Sequence, residues 1–494
     1  MEQTVMQTVA DTSFRLSDWQ GGHESLKQEH SYWLEAIEGK IPTDLQGTLF
    51  RNGPGLLDVN GQRLHHPFDG DGMVCAFTFD QGRVYFRNRF VRTEGFVAEQ
   101  QAGTILYRGV FGTAKPGGWL ANALDLRIKN IANTNVIYWG GKLLALWEGG
   151  QPHRLDPTTL ETLGIESLDG LLQSGDPFSA HPIVDPGGED HPPRLVNFSI
   201  QPGLSTQLKL YEFDLSGTLL QSQTHSIPGF AFIHDFALTP NYYLLFQNPV
   251  TLNPIPYVLG LCTPGQALRF NAYAPTHIWV ISRQGDQPIR KLQTEACFVF
   301  HHANAQERDG KIWVDSICYE SFPTLDAQQD YRTIDFNQIP AGQLWRYELD
   351  LQTATATRRC LSPRSIEFPT VHPDHVGRPY RFVYLGAADQ HQGNAPLQAI
   401  LKLDLETGHS DCWSAAPQGF VSEPIFVPKE EGAAQADAED QGWLLVLVYN
   451  AAQHRSELVV LDAAQVSQGP VACLPLRHHI PYGLHGSFSQ DIFL

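Results

Sequence analysis

The chain has 494 residues, 42% of them hydrophobic and 18% charged, which is enough apolar side chain for a large core and too little charge for a disordered chain. Thirty-four basic against 53 acidic residues leave a net charge of -19, a balance that argues against a phosphate-backbone partner such as nucleic acid. The seven cysteines are scattered singly with no Cys-x-x-Cys pair, as suits a reducing cytoplasm, and no run of about 18 apolar residues offers a membrane-spanning helix.

Residues 1–24 mix Glu2, Gln3 and Asp11 with short apolar groups and lack the basic start and apolar run of a signal peptide; a poorly ordered extension is expected there, followed by one domain over 25–494. From there on, short runs rich in β-branched and aromatic residues alternate with Gly, Pro, Asp and Asn, so the expectation is an all-β protein. One unit recurs, a strand ending in aspartate before a turn: Phe77–Asp80, Tyr211–Asp214, Tyr347–Asp350, Leu401–Asp404 and Val459–Asp462. Each reads as the first half of a hairpin. Their spacing suits the blades of a seven-bladed β-propeller, in which radial repetition leaves only short strand edges; two β-sandwiches are the alternative.

Two segments interrupt the strands. Residues 110–131 start as a Gly/Pro loop and continue with Trp119, Leu120, Leu124 and Leu126 at helical spacing, predicting a short amphipathic helix. Residues 429–442 carry Glu430, Glu431, Asp437, Glu439 and Asp440 among alanines and read as an acidic surface loop.

Hydrolase elbows, phosphate loops and zinc helices are all missing from the sequence. The run Phe68-Asp69-Gly70-Asp71-Gly72-Met73 starts like a calcium loop, but Met73 replaces a ligand, so a tight turn is expected there. The informative residues are histidines. Of 20, four sit in or beside apolar strand-like runs: His181, His234, His301 and His485. His181, His234 and His301 are 53 and 67 residues apart, and continuing at that period reaches Glu367, Glu423 and His485. Imidazoles and carboxylates at one-blade intervals are what a ring around a propeller axis requires. Four neutral imidazoles suit a divalent first-row metal such as iron, whereas calcium demands oxygen ligands. Glu148, Glu367 and Glu423 lie in apolar sequence, where accepting an N–H from a metal-bound histidine would offset the cost of burial.

The sequence resembles the carotenoid cleavage oxygenases over nearly its whole length. The resemblance rests on Ile41-Pro42-Thr43-Asp44-Leu45-Gln46-Gly47 with Arg51-Asn52-Gly53-Pro54, on His66-Pro67-Phe68-Asp69-Gly70-Asp71-Gly72-Met73, and on Phe300-His301-His302-Ala303-Asn304-Ala305. It implies a seven-bladed propeller with a loop and short-helix cap. On its axis, Fe(II) is bound by His181, His234, His301 and His485 and supported by Glu148, Glu367 and Glu423. It favours His301 over His302 as the ligand. It places the Thr134 methyl beside a vacant coordination position and lines a substrate tunnel with Trp147, Phe232, Phe300 and Tyr319.

The activity implied is dioxygen-dependent cleavage of a conjugated double bond, in an apocarotenoid at the 15,15′ position to give retinal and a second aldehyde. Stilbenoid cleavage and retinoid isomerisation are rivals within the family, and a non-catalytic binding propeller is the rival outside it. The resemblance also makes Phe111–Leu126 a membrane-dipping patch on a peripheral protein; Ala121, Asn122 and Ala123 weaken it here. It implies no protein partner.

Overall fold

The structure, a computed structural model, describes residues 14–189, 191–203, 205–323, 330–429 and 439–494. Seven antiparallel sheets follow one another along the chain, as the hairpin spacing predicts. The first blade joins Ser31–Trp33, Arg83–Phe90, Asp71–Asp80, Gly47–Leu56 and, as its inner strand, the C-terminal Gly486–Ser489. Blades two to six each run outward through four strands from inner strands Asn135–Trp139, Ile183–Asp185, Phe236–Leu238, Phe298–Arg308 and Ile366–Thr370. The seventh holds Gly442–Asn450, Arg455–Asp462 and Pro470–Pro475, with Gly419–Val421 and Ile425–Pro428 on its inner side and Glu38–Gly39 outside. The circle closes because the last strand pairs with Gly47–Leu56 near the start of the chain. That closure removes the two open edges a linear array would leave.

Four of the five aspartates of the recurring unit end their strands, and Asp214 directly follows one, all at turns between paired strands. The side chains of Asp214, Asp350, Asp404 and Asp462 accept backbone N–H groups two residues on, which is why aspartate recurs there.

The core is a set of wedges between blades. Leu49, Phe77 and Phe79 of the first blade meet Leu445, Leu458 and Leu474 of the seventh, and Ile317 and Leu344 of the fifth meet Val383 and Leu401 of the sixth. Each remaining interface has its own apolar cluster. Strands buried on both faces read as continuous apolar runs, whereas the outer strand Leu219–Pro228 alternates exposed and half-buried residues.

Several local expectations change. Of the expected extension, residues 1–13 lie outside the described residues. Leu16–Gly21, however, is a short helix whose Trp19 stacks on Tyr482 at 6.3 Å, and Phe14 meets Phe336 edge-on at 5.7 Å. Most of the acidic loop, 430–438, also lies outside the described residues, while its end is pinned: Glu439 accepts the N–H groups of Arg381 and Phe382. The expected tight turn at Phe68–Met73 is a 3-10 helix, Pro67–Asp69, running into a strand. There the buried Asp69 carboxylate accepts N–H from Val110, Phe111 and Thr113, and Asp71 pairs with Lys129 at 2.8 Å.

The helix expected within 110–131 is a single turn, Gly118–Asn122. Trp119, Leu120, Leu124 and Leu126 are exposed, beside Ile255, Leu259 and Leu261 of a neighbouring excursion. Arg108, fully buried, joins the two excursions by donating to the carbonyls of Asn122, Asp125, Tyr257 and Cys262. No helix among the described residues is long and apolar enough to cross a membrane.

Candidate metal centre

Each blade delivers one residue to the axis at or beside its inner strand. Blades three, four and five give His181, His234 and His301; six and seven give Glu367 and Glu423; the first gives His485. The second blade gives Thr134, just ahead of Asn135–Trp139. Periodicity alone shows six of these seven members, because a threonine carries no chemical signal of its own.

The four imidazoles converge, with one ring nitrogen from each lying within 4.8 Å of the others. Ring centroids are 4.3 Å apart for His181 and His234 and 4.9 Å for His301 and His485. Three carboxylates stand behind them. His234 Nδ1 lies 2.7 Å from Glu148, His301 Nδ1 2.6 Å from Glu367, and His485 Nδ1 2.8 Å from Glu423. With Nδ1 held in this way, Nε2 is left facing the centre. The Nε2 atoms of His181 and His301 are buried without a hydrogen-bond partner. Such groups demand an occupant, and an all-nitrogen donor set fits a divalent first-row metal and not calcium or magnesium.

The electrostatics follow from burial and these pairings. Burial, reinforced by the other three imidazoles, holds His181 neutral far below the usual histidine range. Burial also lowers His485, with Glu423 opposing it. At His301 burial is outweighed by the Glu367 carboxylate, which lifts the imidazole to about 9. Burial would raise Glu367, but His301, the Phe368 N–H and the Tyr319 hydroxyl hold it below the usual carboxylate range. Glu423 is likewise held down against its burial by His485 and Arg51, and Arg51 bonds it directly. Glu148 differs from the sequence expectation: its side chain is 38% exposed, against 15% and 14% for Glu367 and Glu423.

His301 and His302 face opposite ways. The His302 ring packs on Phe246 at 4.8 Å and lies 2.7 Å from Ser316 Oγ, away from the centre. Burial drives its pKa down to about 3. Asp235, raised to about 6 by burial, accepts the His302 N–H at 2.8 Å and so ties the fourth blade to the fifth. Thr134 is buried, and its carbonyl accepts the backbone N–H of His485 at 3.1 Å, which ties the second blade to the residue that the first contributes.

Of the aromatics expected to line a tunnel, three come together. Phe300 lies 5.3 Å from His234 and 5.6 Å from Tyr319, and Phe232 joins through Phe298 and Phe322. Trp147 folds over Gly149 and Gly150 and lines a cavity with Leu64, Ile105 and Ile131. Sequence reasoning missed Phe298, Phe322 and Phe368. Phe368 stacks on His301 at 5.8 Å and meets His485 edge-on at 5.4 Å. It does so at φ 53°, inside a bulge between Glu367 and Thr370, an irregularity that no sequence period announces.

Residues 23–490 match the family described as retinal pigment epithelial membrane protein, RPE65. The chain is 54% identical to the apocarotenoid-15,15′-oxygenase of Synechocystis over 97% of both chains, and 31% identical to an isoeugenol monooxygenase of Pseudomonas nitroreducens over 91% of this chain and 93% of that one. The crystal structure of the cobalt-substituted Synechocystis oxygenase superposes with a TM-score of 0.95 at 53% identity, covering 97% of this chain and all of that one.

Proposed function

The chain belongs to the RPE65 family of carotenoid cleavage oxygenases, and from that premise we propose that it uses Fe(II) and dioxygen to cleave the 15,15′ double bond of an apocarotenoid, giving retinal and a second aldehyde. The observation that carries this reading is the set of four converging imidazoles, two of them with a buried Nε2 that has no hydrogen-bond partner, backed by three carboxylates and bordered by aromatic rings. His181, His234, His301 and His485 would hold the iron. When bound, iron supplies a route around the spin barrier that makes dioxygen slow to react with a closed-shell alkene.

The protein's own part is positional. Phe232, Phe300 and Tyr319 offer flat apolar faces to a rigid polyene and set which double bond lies over the centre. The Thr134 side chain would narrow the approach to the centre. Glu148, Glu367 and Glu423 fix imidazole orientation and tautomer. No general acid, base or covalent nucleophile is needed.

An apolar substrate is delivered from a lipid surface. Trp119, Leu120, Leu124, Leu126, Ile255, Leu259 and Leu261 form the exposed apolar area that would rest on it, making the protein a peripheral one. Its seven cysteines are all unpaired, which supports a reducing cytoplasmic setting.

The test is to incubate the iron-loaded protein with a long apocarotenal in air and under nitrogen, following visible absorbance and product masses. Colour loss only in air, with two aldehydes whose individual masses place the cut at 15,15′, is expected. A new geometric isomer of unchanged mass, or cleavage of a stilbene alone, would overturn the reading.

A further inference from the structure

Three of the four imidazoles are steered through a ring nitrogen by a carboxylate, but among the described residues no carboxylate pairs with His181. Its support lies in the main chain. Asn135, opening the inner strand of the second blade, donates Nδ2–H to the Ala180 carbonyl at 2.8 Å, while its Oδ1 accepts the Val136 N–H at 2.8 Å. The amide is thereby fixed at both ends. Asn197, fully buried in the third blade, donates to the Ser179 carbonyl at 2.9 Å, and Ser179 Oγ accepts the His181 N–H at 3.1 Å. Two successive carbonyls and the N–H of the segment leading into His181 are held by side chains. Asn135 is itself anchored, its carbonyl accepting Asn52 Nδ2–H at 2.8 Å, and the Asn52 N–H donates to the His485 carbonyl at 2.8 Å.

We infer that Asn135 is the positioning residue for His181, doing through the backbone of Ala180 what Glu148, Glu367 and Glu423 do through the rings of the other three histidines. The inference rests on the reading of the four histidines as a metal site. Asn248 provides the internal comparison. It is buried and bonds the Phe232 carbonyl at 3.3 Å and both main-chain groups of Val299 at 3.2 and 3.0 Å, two residues ahead of His234 and His301. Those rings, unlike His181, keep a carboxylate when the amide is lost. Equivalent damage to the two amides should therefore have unequal effects on the metal.

The experiment loads the full chain with Co(II) alone and records the visible ligand-field spectrum and the rate of cobalt release to a chelator. Wild type is compared with Asn135→Asp and Asn248→Asp. Aspartate is isosteric and still accepts the Val136 N–H, but cannot donate to Ala180. Cobalt release about 10–100-fold faster in Asn135→Asp, with an altered spectrum, and a smaller change in Asn248→Asp are expected. A wild-type rate and spectrum in Asn135→Asp, or equal loss in both variants, overturns the inference.

Thermal unfolding of the metal-free proteins shows whether the fold survives. Should Asn135→Asp not fold, Ser179→Ala removes only the acceptor for the His181 N–H and carries the same expectation, with wild-type release again overturning it. A wild-type chain that takes up no cobalt sinks the metal reading and this inference together, and is told apart because it precedes any substitution.

Discussion

The Tyr319 hydroxyl donates to Oε1 of Glu367 at 2.7 Å, on the opposite side of the carboxylate from the oxygen that holds His301 at 2.6 Å. One tyrosine of the aromatic cluster thus fixes the carboxylate that orients His301, so the ring that would touch substrate and the group that would support the metal are coupled. Tyr319→Phe keeps the aromatic face and removes this bond. It is expected to weaken metal retention by about 10-fold, the low end for lost outer partners, because the Phe368 N–H and His301 still hold the carboxylate. Chelator competition against wild type checks this, and unchanged retention would count against the coupling.

The three carboxylates should not be equivalent. Glu367 and Glu423 are enclosed, whereas the Glu148 side chain is more than a third exposed, so water can replace part of what Glu148 does. Glu367→Ala is expected to reduce activity and metal affinity by about 100-fold and Glu148→Ala by about 10-fold. Reversal of that order in a matched set of variants contradicts the burial argument.

Between blades three and four, Glu212 accepts from Arg283 at 2.8 Å, Arg194 at 2.8 Å and Tyr243 at 2.6 Å. Burial would raise its pKa, but these donors, Arg283 foremost, hold it at about 2 against an ordinary 4.5. A depressed folded-state value stabilises above the ordinary pKa, and that stability is lost as pH falls from there toward about 2. The share of the cluster around Glu212 is on the order of 3 kcal/mol at neutral pH. Glu212→Gln should lower the unfolding midpoint at neutral pH, and the gap from wild type should close as pH falls through that window. A gap independent of pH would contradict the assignment.

The exposed apolar residues give a separate prediction. Burying a leucine contributes about 1.5–3 kcal/mol, so changing both Trp119 and Leu120 to serine should lower binding to phosphatidylcholine vesicles by at least about 10-fold. Turnover of detergent-dispersed substrate should stay unchanged. Equal vesicle binding by the variant rules out this surface as the lipid contact.

The propeller and the four-histidine cluster were readable because both repeat. Strand-ending aspartates mark turns by capping them, and residues that face one axis must recur at the blade period. His302 was separable from His301 by strand alternation. The rest is carried by groups without a distinctive signal: Thr134 is chemically plain, Phe368 reaches the ring through a bulge, and Asn135 acts on a backbone carbonyl. The exposure of Glu148 depends on how neighbouring loops leave it, which the apolar run around it does not reveal. Apolar spacing around Trp119 and Leu120 announced a helix, but could not say that it would last a single turn. The Arg51-Asn52-Gly53-Pro54 motif is explained only in three dimensions. Arg51 compensates Glu423, Asn52 ties the first blade to the second, and a Cβ on Gly53 would sit 2.5 Å from the Gly483 Cα.

X-ray absorption at the iron edge of the loaded protein tests the central claim most directly. One iron per chain with a nitrogen-only set of four imidazole scatterers, falling to three in His181→Ala, is the predicted result. Carboxylate or sulfur donors in the wild-type spectrum, or no iron at all, would contradict a centre built from His181, His234, His301 and His485.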